Sequence, residues 1–165
     1  MPWGKGNEEV RRRRPTVVLE WHGEEVTEKA FEKLFWASIE QAKLILGTAR
    51  TMTPRKTGTL YRSSTITVDK RPSMEEVFQA AGGGKSYTGQ DFFDYFIPTK
   101  TPKPGKHNIY ITYNTPYAVY QHENTAYKHP LGGEAKFLQK ALEKHAATIQ
   151  AAVGRAIKSA VRRRI

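Results

Sequence analysis

The chain has 165 residues, of which 38% are hydrophobic, with no cysteine and a formal net charge of +11; its mean hydropathy is −0.64. The missing thiols exclude disulfide staples and thiolate metal sites, and the longest apolar runs fall far short of the roughly 18–20 residues that span a bilayer. One domain is expected, because a single core serves roughly 100–200 residues.

Charge is concentrated at the two ends. Residues 1–14 hold Lys5, Arg11, Arg12, Arg13 and Arg14 against Glu8 and Glu9, and residues 155–165 hold Arg155, Lys158, Arg162, Arg163 and Arg164 with no acid. The body between them is close to balanced. End-loaded basic clusters read either as contact arms for DNA or an acidic protein partner, or as solvated termini that aid solubility. Met1 to Gly6 lacks the charged-then-apolar pattern of a signal peptide, so the expected setting is soluble, intracellular when made, and without a membrane partner.

In chain order, residues 1–15 are polar, basic and Gly-containing, and read as a flexible N-terminal arm ending at Pro15. Residues 16–165 are expected to form a single domain. Thr16 to His22 is β-branched and aromatic and predicts a short strand. Thr27 is a plausible N-cap, with Val26 and Phe31 at the positions of a hydrophobic staple. From Phe31 to Met52 apolar residues recur every three or four positions, which predicts one long amphipathic helix stopped by Pro54. Leu60 to Arg71 predicts a strand, with Ile66 and Val68 on one side and Ser and Thr between.

Residues 72–106 have little periodicity. Gly82, Gly83 and Gly84 are consecutive; Tyr87, Phe92, Phe93, Tyr95 and Phe96 crowd together; and Pro98, Pro102 and Pro104 punctuate a Lys/Thr-rich run. A stretch this long is unusual as a plain connection, so an extended loop or hairpin arm is expected. Its aromatics either meet a partner or pack on the domain's own core. Asn108 to Asn114 alternates cleanly and predicts a strand antiparallel to the one before the arm. Tyr117 to Glu123 suits a helical turn or two. Phe137 to Val161 predicts a second long helix with an alanine-rich stripe and a basic C-terminal end that complements the helix dipole. The expected class is α+β: an antiparallel sheet flanked by two long amphipathic helices.

Few residues suggest catalysis. Gly82-Gly83-Gly84-Lys85-Ser86 invites a phosphate-loop reading, but that motif requires glycine at position 79, where Gln79 stands, and a strand before it, where a helix-like SMEEVFQAA stands. His122, Glu123 and His129 are the one local group of metal-capable side chains, and their spacing lacks the i, i+4 histidine pair of a helical zinc motif. No carboxylate pair stands out at a strand end, and no nucleophile elbow is present. The expectation is a non-enzymatic protein with no cofactor, no metal and no catalytic residue.

Two stretches carry a resemblance. Pro54-Arg55-Lys56-Thr57-Gly58-Thr59-Leu60-Tyr61-Arg62-Ser63 is similar to the P-x-x-T-G-x-L-x-x-S signature that follows the first long helix in tail-completion and minor capsid proteins of tailed bacteriophages. Pro116-Tyr117-Ala118-Val119-Tyr120-Gln121-His122-Glu123, followed by His129-Pro130 and Gly133-Glu134-Ala135-Lys136-Phe137-Leu138, resembles the Y-A-x-Y-x-H-E block and the last helix start of the same family. The chain departs from it at Asn124-Thr125, where many relatives place a Gly, and in the length of 72–106.

The resemblance implies a structural virion protein of the head–tail junction, a neck or tail-completion subunit forming a ring, hexamer or dodecamer, with connector and tail proteins as partners. DNA in the channel is a further implied neighbour, and the host cytoplasm is the site of assembly. It also implies that Pro54, Gly58, Leu60, Tyr117, Tyr120, Glu123, Phe137 and Leu138 are scaffold. Two other readings compete: a nucleic-acid-binding module using the basic ends, and a tail terminator or assembly factor that is not retained in the particle.

Overall fold

The computed structural model describes residues 14–22, 28–85 and 95–161. The elements in chain order are β1 (Thr16–His22), α1 (Glu28–Met52), α2 (Thr59–Arg62), β2 (Ser64–Val68), α3 (Met74–Ala80), β3 (Tyr95–Phe96), β4 (Lys106–Tyr113), α4 (Ala118–Glu123) and α5 (Phe137–Val161). The fold is α+β, as the periodicities predict.

The sheet has the order β1-β4-β2-β3. β4 is central and antiparallel to both neighbours, with Val17 and Ile66 each opposite Ile111, and Leu19 and Val68 each opposite Ile109. β3 adds a two-residue parallel edge, Ile66 to Tyr95 and Thr67 to Phe96. Alternation puts Val17, Leu19, Ile66, Ile109, Ile111 and Tyr113 on one face, where they join the core.

Both long helices cover that same face. They run antiparallel: Lys33 Nζ donates to the Ser159 carbonyl (3.4 Å), and Thr48 Oγ1 meets His145 Nε2 (2.6 Å). α1 lies deeper, with Phe31, Ile39, Ile45 and Leu46 fully buried. Burial of each such side chain contributes roughly 1.5–3 kcal/mol. α5 buries Phe137, Leu138 and Ala141 at its start, and further along only a narrow seam around Ala152, while Ile157 stays 45% exposed.

Three sequence expectations are corrected. The segment 60–71 is not one strand: residues 59–62 form α2, and only Ser64–Val68 extends. Gly58, at φ 80°, turns the chain into that helical turn, and Ser63 and Ser64 then bond back to the Leu60 and Tyr61 carbonyls. The segment 72–106 is not a free arm in its described parts. It contains α3, capped by the Ser73 hydroxyl, and β3, and its Pro-rich strap is tied down where Trp36 Nε1 donates to Thr101 Oγ1 at 2.8 Å. The N-terminal arm does not extend to residue 15, because Pro15 is buried and its carbonyl accepts from the Tyr113 amide. The Thr27 cap and Val26 staple lie outside the described residues.

Candidate functional site

The two motif stretches converge. Pro54 ends α1, and the Thr53 hydroxyl beneath it donates to the Ala49 carbonyl and meets the Tyr113 hydroxyl at 2.8 Å. Burial pushes the Tyr113 phenol well above its ordinary range, so it stays neutral. The Glu134 amide donates to the Met52 carbonyl, and the Lys136 amide to the His122 carbonyl, so the entry to α5 is stitched to the end of α1 and to α4. Gly133, at φ 93°, makes this approach feasible: a Cβ there would lie 2.4 Å from Pro54 Cα.

A second set of contacts fixes the Thr57-Gly58-Thr59 loop. Arg62 folds under it and donates through Nη2 to the Thr57 carbonyl (3.0 Å) and through Nε to the Ala81 carbonyl (3.1 Å). A Cβ on Gly58 would meet that guanidinium at 2.4 Å. The Gly84 amide donates to Thr59 Oγ1 at 3.2 Å, which pins the glycine turn against the loop. That turn follows helix α3 rather than a strand, unlike a phosphate loop. Tyr117 hydrogen-bonds Thr59 and Thr57; burial raises its phenol, and those bonds offset part of the shift.

Between these parts lies a pocket of about 640 Å³. Pro54 to Gly58 and Leu60 form one wall, Tyr117 and Gln121 a second, and Lys128 to Gly132 the third, with Gly84 at the lip. Its described lining contains Arg55, Lys56, Lys128 and His129 and no carboxylate. His129 Nε2 is buried without a hydrogen-bond partner among the described residues, and Leu131 is 67% exposed. Arg55 lies over the Tyr61 ring at 4.6 Å, a cation–π contact.

The expected scaffold residues divide by location. Pro54, Gly58, Leu60 and Tyr117 line the pocket; Phe137 and Leu138 lie in the core; and Tyr120 is half-buried on α4. Glu123 is exposed, accepts from Lys136 Nζ, and pairs with His122 Nδ1 at 2.7 Å. The Lys136 hydrogen bond is the main cause that holds its carboxyl below the usual range. Burial lowers His122, only partly offset by Glu123, so the imidazole is neutral near pH 7, with its ring edge-on to Phe137. Among the described residues no three metal-capable side chains are grouped.

The expected contact residues are less fully placed. Tyr87, Phe92, Phe93, Arg11, Arg12, Arg13, Arg162, Arg163 and Arg164 lie outside the described residues. Tyr95 and Phe96 give their backbones to β3. Arg14 belongs to the fold: its Nη1 donates to the Pro72 carbonyl (2.8 Å) and to Asn114 Oδ1 (3.0 Å), and burial followed by repulsion from Arg71 lowers its pKa. No described helix is long and apolar enough to cross a membrane.

Sequence reasoning did not single out Arg55, Lys56, Lys128 and Leu131 as pocket residues. The available signal was the spacing of prolines and glycines around them, Pro54-Gly58 and Pro130-Gly132-Gly133. Comparison with profiles of known protein families, with curated proteins and with solved structures finds no match to this chain.

Proposed function

We propose that the chain is a non-enzymatic structural subunit of the head–tail junction of a tailed bacteriophage, a neck or tail-completion protein that self-associates into a ring and joins connector to tail. The observation that carries this reading is the convergence of the two resemblance stretches on one locus. Pro54, Gly58 and Tyr117 stand together, and Gly133 packs backbone to backbone on Pro54. Residues that share a signature with a structural family are thus engaged in holding turns and helix ends, as scaffold residues are.

The basic ends belong to the same reading. A subunit beside passing DNA or an acidic neighbouring ring gains from cations at its termini. Ring assembly follows from heterologous contacts that close on themselves.

Mass spectrometry of purified virions, produced from the genome that encodes the chain, tests the proposal. Peptides of the chain at ring stoichiometry, six or twelve copies per particle, are expected, together with neck density that accommodates the α+β body. Its absence from finished particles would overturn the virion assignment. Retained hydrolase, transferase or nuclease activity of the pure protein would overturn the non-enzymatic one.

A further inference from the structure

We propose that the basic pocket receives the acidic–aromatic stretch Asp91-Phe92-Phe93-Asp94 of a second copy of the chain. The inference rests on the self-association part of the function proposed above and does not need the virion assignment.

The pocket has the chemistry of a receptor for such a stretch. Arg55, Lys56 and Lys128 surround it with no carboxylate in the described lining, while Pro54, Leu60 and Tyr117 supply apolar walls. Its volume, about 640 Å³, lies within the roughly 300–1,000 Å³ range of sites that enclose small ligands, and accommodates aromatic rings. Leu131, two-thirds exposed on the rim, is an apolar contact left open to water. A cationic rim around apolar walls selects a ligand that is aromatic at its centre and anionic at its flanks.

One stretch of this chain has that pattern. Two adjacent phenylalanines are bracketed by Asp91 and Asp94 in a chain whose cations outnumber its acids by 27 to 16. The stretch is separate in sequence from the pocket-lining residues 54–58 and 128–132. Copies joined by them associate head to tail, which is the contact type that closes rings. A basic protein whose sequence carries one acidic–aromatic stretch and whose fold carries one basic–apolar socket has complementary chemistry for its own repetition.

The test uses the full chain and charge reversals on each side of the contact. Arg55→Glu with Lys128→Glu reverses the socket, and Asp91→Lys with Asp94→Lys reverses the plug. Sedimentation velocity and native mass spectrometry across a concentration series report association, with thermal unfolding as the folding control. Each reversal is expected to weaken association at least tenfold while leaving unfolding in place. Mixing the two reversed proteins, or combining both reversals in one chain, is expected to restore it, because the signs are complementary again.

Association of the wild type that ignores both reversals, or a wild type that stays monomeric at all concentrations, overturns the proposal. So does hydrogen-exchange protection of residues 128–132 that depends on Asp91 and Asp94 in a monomeric chain, because the socket then serves its own copy's stretch. Rings that persist in the reversed variants remove this contact and leave the ring reading intact. Plug-and-socket association by a chain missing from virions removes the virion reading and leaves this one standing.

Discussion

Gly133 and Pro54 touch backbone to backbone, with room for no side chain between them. A Cβ on Gly133 would lie 2.4 Å from the Pro54 Cα and nitrogen, whereas a Cβ on Gly132, at the same φ of 93°, meets nothing within 4 Å. Gly132→Ala therefore carries only backbone strain, about 1 kcal/mol. Gly133→Ala adds a backbone clash that no rotamer relieves, for a total of about 2–4 kcal/mol. Urea unfolding of the two variants checks this, and equal losses would contradict the contact.

The Tyr113 hydroxyl is fully buried against Thr53 at the junction of β4 and α1. Tyr113→Phe keeps the ring against Phe137 and removes the bond. Thr53 Oγ1 retains the Ala49 carbonyl as acceptor, so the expected loss is about 1–2 kcal/mol by chemical denaturation.

His107 holds the Pro-rich strap to the β2–β4 end. Its Nδ1 faces Asp69 Oδ2 at 2.7 Å and its Nε2 faces the Lys103 carbonyl at 2.8 Å, two acceptors that only the imidazolium satisfies together. Burial pulls its pKa down, and the bonds to Asp69 and Lys103 outweigh that and raise it. The folded value lies above the unfolded one. This stabilisation is therefore full below about pH 6.5 and is lost as pH rises through the folded value. Asp69→Asn should destabilise more at pH 6 than at pH 8. The difference is expected to stay under about 1 kcal/mol, because Asp69 is half exposed and solvent screens the pair. A gap that widens above pH 7 would contradict the assignment.

His122 has the opposite sign. Its pKa is lowered, chiefly by burial, so its contribution is full above about pH 6.5 and is lost as pH falls toward the folded value. His122→Phe preserves the edge contact with Phe137 and removes the titration. Melting temperatures measured from pH 7.5 to pH 5 should fall less steeply in the variant than in the wild type.

Arg62 is buried with its guanidinium on the Thr57 and Ala81 carbonyls. Arg62→Met leaves those carbonyls without this donor beneath the Gly58 loop, at a cost of about 2–3 kcal/mol. Proteolysis of the native protein should then cut first within residues 55–58 or 82–85. Unchanged cleavage would show that the loop does not depend on Arg62.

Periodicity marked the long elements because one force dominates them. α1 and α5 repeat apolar residues at helical spacing, and β4 alternates from Ile109 to Tyr113, so burial of one stripe or one face leaves a direct trace in the sequence. The segment 60–71 divides into a helical turn and a strand because four residues, Leu60 to Ser63, are too few to show a period of either kind. The choice lay with Gly58 and with the Arg62 side chain, which finds its acceptors at Thr57 and, nineteen positions on, at Ala81. The strand at Tyr95–Phe96 was hidden for a similar reason, since two residues leave no period to read.

The socket shows the same division. Its ingredients were visible one by one, as a proline, a turn glycine, a tyrosine and scattered lysines. The sequence alone determined the α+β class, the two long helices, the central strand, the basic ends and the two motif stretches, because each is a local pattern of burial or composition. Only the tertiary structure decided that Pro54 and Gly133 touch, that Arg14 belongs to the body, and that Arg55, Lys56 and Lys128 share a pocket with no carboxylate among its described lining residues. Those are relations between distant positions, set by which backbones can approach and which side chains fill the space between them, and no local pattern records them.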